Sequence, residues 1–279
     1  MFRTIGHTFE LIKMSWSVFM KDRELILFPL MAACGVLIVI GIFYGFAAST
    51  GTLDRLNAAT TGAGTEETTS LDIVLGIALY ASTTFVVIFF NAALVAAALE
   101  RLRGGDPNIS SGLRVALKHL PAIFAWALIS ATVGLILQIA RGRTDNFLGR
   151  LAIEMVGGVW AYMTFFVVPV LVAEGIGPIQ GIKRSASLFR QTWGRQATSS
   201  FAFMIVYIVA VILAVLPAAL LFAIEPILGI VIGAITIPMA VGCVQAIEGI
   251  FKAALYEFAN GESPLEFDRE TLSSAYQAL

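Results

Sequence analysis

Residues 25–48 read LILFPLMAACGVLIVIGIFYGFAA and contain no Asp, Glu, Lys, Arg or His. The hydrocarbon core of a bilayer is about 30 Å thick, so roughly 20 apolar residues in a helix cross it. Five more runs of the same kind follow: Leu71–Leu99, Leu120–Ala140, Leu151–Val172, Phe201–Phe222 and Ile227–Phe251. Hydrophobic residues make up 58% of the chain and charged residues 13%, against about 25% charged in an ordinary soluble domain. The alternating ten-residue segments of a membrane β-barrel are absent. Backbone groups in lipid must find partners within their own segment, so each run is read as a helix. The expected fold is all-α, a polytopic membrane protein with six transmembrane helices. Residues 1–24 are mixed in charge and no small-residue cleavage site follows the first run, so that run is expected to stay in the chain.

The runs come in pairs, and each pair follows a short basic amphipathic stretch. In the first stretch Ile5, Phe9, Ile12, Trp16 and Phe19 share one helical face, with Arg3, His7, Glu10 and Lys13 elsewhere. In the second, Ile109, Leu113, Ala116, Leu117 and Leu120 oppose Arg114 and Lys118, after a turn and cap at Asp106-Pro107-Asn108. In the third, Ile179, Ile182, Ala186, Phe189 and Trp193 oppose Lys183, Arg184 and Arg190. The expected arrangement is three hairpins, each preceded by an amphipathic interfacial helix. The repeat units run over about 1–103, 104–175 and 176–261, with residues 1–261 as membrane domain and 262–279 as a short cytoplasmic tail. The apolar faces either enter the acyl boundary or pack on the spans. Each cation near an anionic leaflet contributes about 1 kcal/mol.

The hairpin ends resemble one another. An offset of 157 residues aligns Glu100 with Glu257, Gly104 with Gly261 and Pro107 with Pro264, and Glu174–Pro178 is a shorter version. Glycine stops the helix and proline redirects the chain. The termini and the second and fourth loops hold 14 of the 18 Lys and Arg residues. The positive-inside rule therefore makes both termini cytoplasmic. Residues 141–150 (RGRTDNFLGR) are basic on the opposite side, where Arg141 and Arg143 either snorkel to phosphates or bind an anionic headgroup.

At Pro169–Pro178, Lys183-Arg184-Ser185 and Trp193 the chain resembles the YciC-like and glycerophosphodiester-phosphodiesterase membrane-domain superfamily. The opening Ser15-Trp16-Ser17 through Phe28-Pro29, and the ending Ala254–Ala259, are similar to one branch of it, the integral membrane proteins of the DUF6159 type. The resemblance implies six spans in a prokaryotic plasma (inner) membrane. It brings no catalytic residues, and no phosphodiesterase domain is attached.

No catalytic constellation is legible. His7 and His119 stand apart, and HExxH, phosphate-loop and GxSxG motifs are missing. Ser110-Ser111 and Ser199-Ser200 read as helix-start residues. Cys34 and Cys243 lack metal-ligand spacing and read as small hydrophobes. No enzyme activity, cofactor, metal or nucleic-acid partner is expected; net charge is -1.

Polar groups inside spans are the remaining candidates, because a charge at the bilayer centre costs at least about 2.5–3.5 kcal/mol. They are Asn91, Gln138, Glu154, Gln245 and Glu248, with Lys252 one turn after Glu248. Interhelical hydrogen bonding and an interfacial ion pair are the structural alternatives. Candidate contacts for lipid headgroups are Lys13, Lys118, Lys183, Arg184, Arg190, Arg141 and Arg143. Pro169 and Pro238 should kink spans four and six. Gly41-xxx-Gly45 and Gly229-xxx-Gly233 permit close helix contact, either internal or between copies. Expected partners are anionic phospholipids, a second copy, or another membrane protein. The expected function is that of a non-enzymatic membrane scaffold or partner subunit, with a channel or carrier for a lipid, ion or small solute as the alternative.

Overall fold

The computed structural model describes residues 13–61, 69–193 and 199–262, with Pro264, Leu265 and Phe267 beyond them. Among these, all regular structure is helical. Residues 13–21 form α1, and a 3-10 turn at Arg23–Ile26 leads into α2 (Leu27–Ser49). Then come α3 (Thr52–Thr61), α4 (Ser70–Leu102), α5 (Ile109–Lys118), α6 (Leu120–Gly142) and α7 (Phe147–Thr164). The chain finishes with α8 (Val167–Glu174), α9 (Pro178–Trp193), α10 (Ser199–Ile224) and α11 (Pro226–Ala259). Six segments are long and apolar enough to cross a membrane: Arg23–Ser49, Ser70–Leu102, Leu120–Gly142, Phe147–Glu174, Tyr207–Ile224 and Pro226–Ala259.

α4 is the central helix and packs against α2, α5, α6, α8 and α11. Its small side chains allow this. Ala92, Ala93, Ala96, Ala97 and Ala98 are buried on every side of the helix, and glycines on the partners bring backbones close. A Cβ on Gly112 of α5 would lie 2.6 Å from the Ala93 carbonyl oxygen, and one on Gly249 of α11 would lie 2.7 Å from Leu94 Cδ2. The core therefore gathers at one end of the bundle, around Phe28, Leu94, Ile123, Phe166, Ile250 and Leu255. This is the end whose connections carry most of the cations. Towards the far end Leu37, Ile42, Ile136 and Ile230 are each 60% or more exposed. Surface of this kind suits a hydrocarbon surrounding rather than water, where each exposed Å² costs about 25 cal/mol.

The three helix pairs differ. α2 with α4, and α10 with α11, pack along their lengths, whereas α6 and α7 touch sparingly and lean on α4 and α9 instead. The α6–α7 contacts include a Trp126–Trp160 ring stack at 5.9 Å and the Arg141–Glu154 ion pair.

The fourth span breaks between α7 and α8. Pro169 has no N–H and its ring crowds the carbonyl four residues earlier, at Phe165. The Phe166 N–H that leaves the helical ladder donates instead to Ser185 Oγ of α9 at 2.9 Å, fully buried. No comparable break occurs at Pro238, where α11 runs through without interruption.

The amphipathic helices pack on the spans by faces that coincide only in part with those expected: Phe19 and Ala116 are buried, and Ile109, Leu113, Ile182 and Phe189 pack against the cores. On α9 the buried residues are Gly181, Ser185 and Leu188, while Ile179 is 65% exposed. On α5 they are Gly112 and Ala116, and Leu117 is exposed. On α1, Ser15, Val18 and Phe19 are buried and Trp16 is 45% exposed. Close approach places Gly112, Gly181 and Ser185 at the contacts, so Leu117 and Ile179 end beside them. Ile5, Phe9, Ile12, Arg3, His7 and Glu10 lie outside the described residues. The turn expected before α5 is present: Asn108 Oδ1 accepts from the Ser111 N–H at 2.9 Å, and Ser111 Oγ accepts from the Asn108 N–H.

α4 and α11 end alike. Gly104 and Gly261 have φ of +88° and +85°, in the region that favours glycine. The Gly105 N–H reaches the Glu100 carbonyl, and the Glu262 N–H reaches the Glu257 carbonyl. Gly175 after α8 also has positive φ. The start of the tail folds back over α4: the Leu265 N–H donates to the Leu102 carbonyl at 3.0 Å, and Phe267 enters the core. Residues 268–279 lie outside the described part.

Candidate functional site

Gln245, Glu248 and Lys252 share one face of α11, at spacings of three and four residues. That face borders a cavity of about 350 Å³ between α2, α4, α10 and α11. Asn91 of α4 and Tyr207 of α10 supply its other polar groups. Pro29, Ala33, Val36, Val87, Phe90 and Val241 belong to its apolar lining. α10 is held chiefly by α11 and hardly touches the other helices. Among the described residues no helix packs on the side of the cavity towards α4 and α10, and Val87 there is 45% exposed.

The charged pair is held from several directions. Lys252 Nζ lies 2.7 Å from Glu248 Oε1. Tyr207 Oη donates to Glu248 Oε2 at 3.0 Å. Lys252 Nζ also stands 5.6 Å from the centroid of the Phe165 ring, over its face. Desolvating two charges is costly unless such additional contacts accompany their attraction. Among the described residues no hydrogen bond engages the side-chain amides of Asn91 and Gln245. Three of the five polar candidates are therefore brought together. Gln138 is exposed on α6, and Glu154 pairs with Arg141 at 2.9 Å with both side chains half or more exposed. Tyr207 was not among the candidates. Its one signal in the sequence is a phenol within an apolar run, which needs a partner when buried.

The basic candidates divide as well. Lys13, Lys118, Lys183, Arg190 and Arg143 are exposed and make no ion pair among the described residues. Arg184 is tied inward, to Glu174 Oε1 at 3.0 Å and Asn260 Oδ1 at 2.6 Å. Tyr256 Oη donates to the same Glu174 oxygen at 3.0 Å. Arg101 pairs with Asp22 and Asp106, and Arg103 pairs with the buried Glu257 at 2.7 Å. A second, more open cavity of about 520 Å³ beside Arg103, Ser111, Arg114 and Glu100 lies at this end. His119, between α5 and α6, sits against Gly175, and burial followed by the neighbouring Lys118 charge lowers its pKa. Among the described residues no cluster of His, Cys, Asp and Glu has metal-binding proximity.

Residues 71–264, more than half of the chain, match a family of unknown function, DUF6159. The chain belongs to this family. The matched DUF6159 segment contains all five polar residues of the cavity, whereas the α2 wall lies before it. No curated protein and no solved structure matches the chain.

Proposed function

We propose that this DUF6159 protein is a non-enzymatic, multi-pass component of the prokaryotic plasma membrane that takes up a membrane lipid in the cavity between α2, α4, α10 and α11, as a lipid carrier. One observation carries this reading: a Glu–Lys pair and two amides line a cavity whose walls are otherwise largely apolar and whose side towards α4 and α10 is not closed by a packed helix among the described residues. That combination fits an amphiphile, with the headgroup at the polar residues and the chains leaving sideways into the bilayer. The reading includes both termini on the cytoplasmic side, the tripled hairpin unit, and kinship with the YciC-like superfamily. The exposed cations of the basic end support contact with anionic lipids there.

A scaffold or partner-subunit role is the second reading. Exposed Leu117 and Ile179, beside Lys118 and Lys183, favour it as a docking rim for another membrane protein or a second copy.

Native mass spectrometry of the full chain, after exchange into a mild detergent, tests the first reading. A lipid is expected to remain bound in the wild type and to be lost in Val87→Trp, which fills the open side of the cavity. Equal retention in both proteins overturns the carrier reading.

A further inference from the structure

Resting on the lipid-binding reading above, we propose that the cavity selects a zwitterionic phospholipid headgroup, one that carries both a phosphate and a primary ammonium group.

The charge balance of the site points to this class. Glu248 and Lys252 are its two charged lining residues, paired at 2.7 Å, and Asn91, Gln245 and Tyr207 are polar and uncharged. The cavity lining is therefore neutral overall but strongly dipolar. A purely anionic headgroup would win Lys252 and leave Glu248 facing a second negative charge in an apolar surround, an arrangement that costs several kcal/mol per uncompensated ion. A zwitterion avoids this. Its ammonium group can replace Lys252 at Glu248 while its phosphate accepts from Lys252, so the four charges alternate in sign and none is left alone.

The spacing of the partners agrees. Glu248 and Lys252 stand four residues apart on α11, about 6 Å along the axis, and a two-carbon bridge separates phosphate from ammonium by a somewhat shorter span that the two flexible side chains can meet. Asn91 and Gln245 offer amide N–H groups to the remaining phosphate oxygens, with no other acceptor among the described residues engaging them. The ammonium must be primary, because Glu248 Oε1 is now ion-paired with Lys252 Nζ at 2.7 Å and a replacement has to come as close. A quaternary ammonium cannot. Ala33, Val36, Val87 and Phe90 then meet the glycerol and upper acyl chains.

The test uses the full chain in mild detergent with equimolar dioleoyl phosphatidylethanolamine, phosphatidylglycerol and phosphatidylcholine, with bound species counted by native mass spectrometry. Phosphatidylethanolamine should be retained about tenfold over each of the others, a difference of about 1.4 kcal/mol. Tyr207→Phe, which keeps the ring and removes one bond to Glu248, should lower the preference. Glu248→Gln/Lys252→Gln, checked for wild-type helicity, should bring it within about twofold. Val87→Trp should reduce all three lipids. Equal or stronger retention of phosphatidylglycerol at a site that Val87→Trp still empties overturns the headgroup assignment and leaves lipid binding standing. Lipid retention indifferent to Val87→Trp overturns both. Free phosphoethanolamine should not displace the lipid, since the walls hold its apolar part; displacement at millimolar concentration would make the soluble zwitterion the ligand and overturn the lipid assignment.

Discussion

Asn91 precedes the last residue of α4, Leu102, by the same interval that separates Glu248 from Ala259 at the end of α11, and both side chains line one cavity. Two helices with matching stops thus bring an amide and a carboxylate to equal depth. If they act on one ligand, their effects should couple. Asn91→Ala and Glu248→Ala should each weaken lipid retention or lipid flux in proteoliposomes, and the double variant should depart from additivity by about 0.5–3 kcal/mol. Additive effects, or none, would separate the two residues functionally.

Ser185 is a structural partner rather than a surface hydroxyl. Ser185→Ala removes the Oγ that accepts from the buried Phe166 N–H, at a cost of about 1–3 kcal/mol. Thermal unfolding in detergent should show the loss, and an unchanged midpoint would mean that the N–H finds another acceptor.

Gly112→Ala places a methyl 2.6 Å from the Ala93 carbonyl oxygen and 2.7 Å from the Phe28 ring. Overpacking of this kind costs about 1–3 kcal/mol. Gly41→Ala is the control, because its Cβ meets nothing within 4 Å. It should be neutral, or more stable by up to about 1 kcal/mol through helix propensity. A loss at Gly41 in membranes but not in detergent would instead reveal contact between copies.

His119 gives a pH dependence. Its pKa is lowered in the fold by burial and then by Lys118, so the unfolded chain binds its proton more readily. Stability should therefore fall as pH drops through the ordinary histidine value near 6.5 and level off above it. His119→Gln should flatten that part of the profile, measured by unfolding between pH 5 and 8.

Orientation is open to labelling. Cysteines introduced at Lys118 and Lys183 should react only with reagents that reach the cytoplasm, and one at Arg143 only with reagents outside. The reverse pattern would invert the assigned topology.

Much of the fold was legible because a bilayer-spanning helix needs only length and apolarity, which Leu25–Ala48 and its five counterparts state openly. The faces of the amphipathic helices were legible only in part: Phe19, Ala116 and Phe189 do face the core. Counting large apolar residues favoured Ile179 and Leu117, but packing is decided by how near two backbones come, and Gly112, Gly181 and Ser185 control that distance. Similarly, Pro169 and Pro238 look equivalent in sequence, yet only the first breaks its span. Ser185 is there to receive the freed N–H. At the site, the offset between α4 and α11 related Asn91 to Glu248. Gln138 and Glu154 shared only their polarity with that pair, which carries no information about which side of a helix meets which neighbour. Tyr207 escaped because its hydroxyl matters only once α10 lies on α11.

The hydrogen bond from Leu265 to Leu102 has a consequence for biogenesis. The segment that finishes the stop of α4 is synthesised more than 160 residues after it, so the ribosome has already made α5 to α11 before that helix end acquires its last donor. Chains truncated ahead of Leu265 would leave the insertion machinery with all six of these spans made and the central one still unclasped.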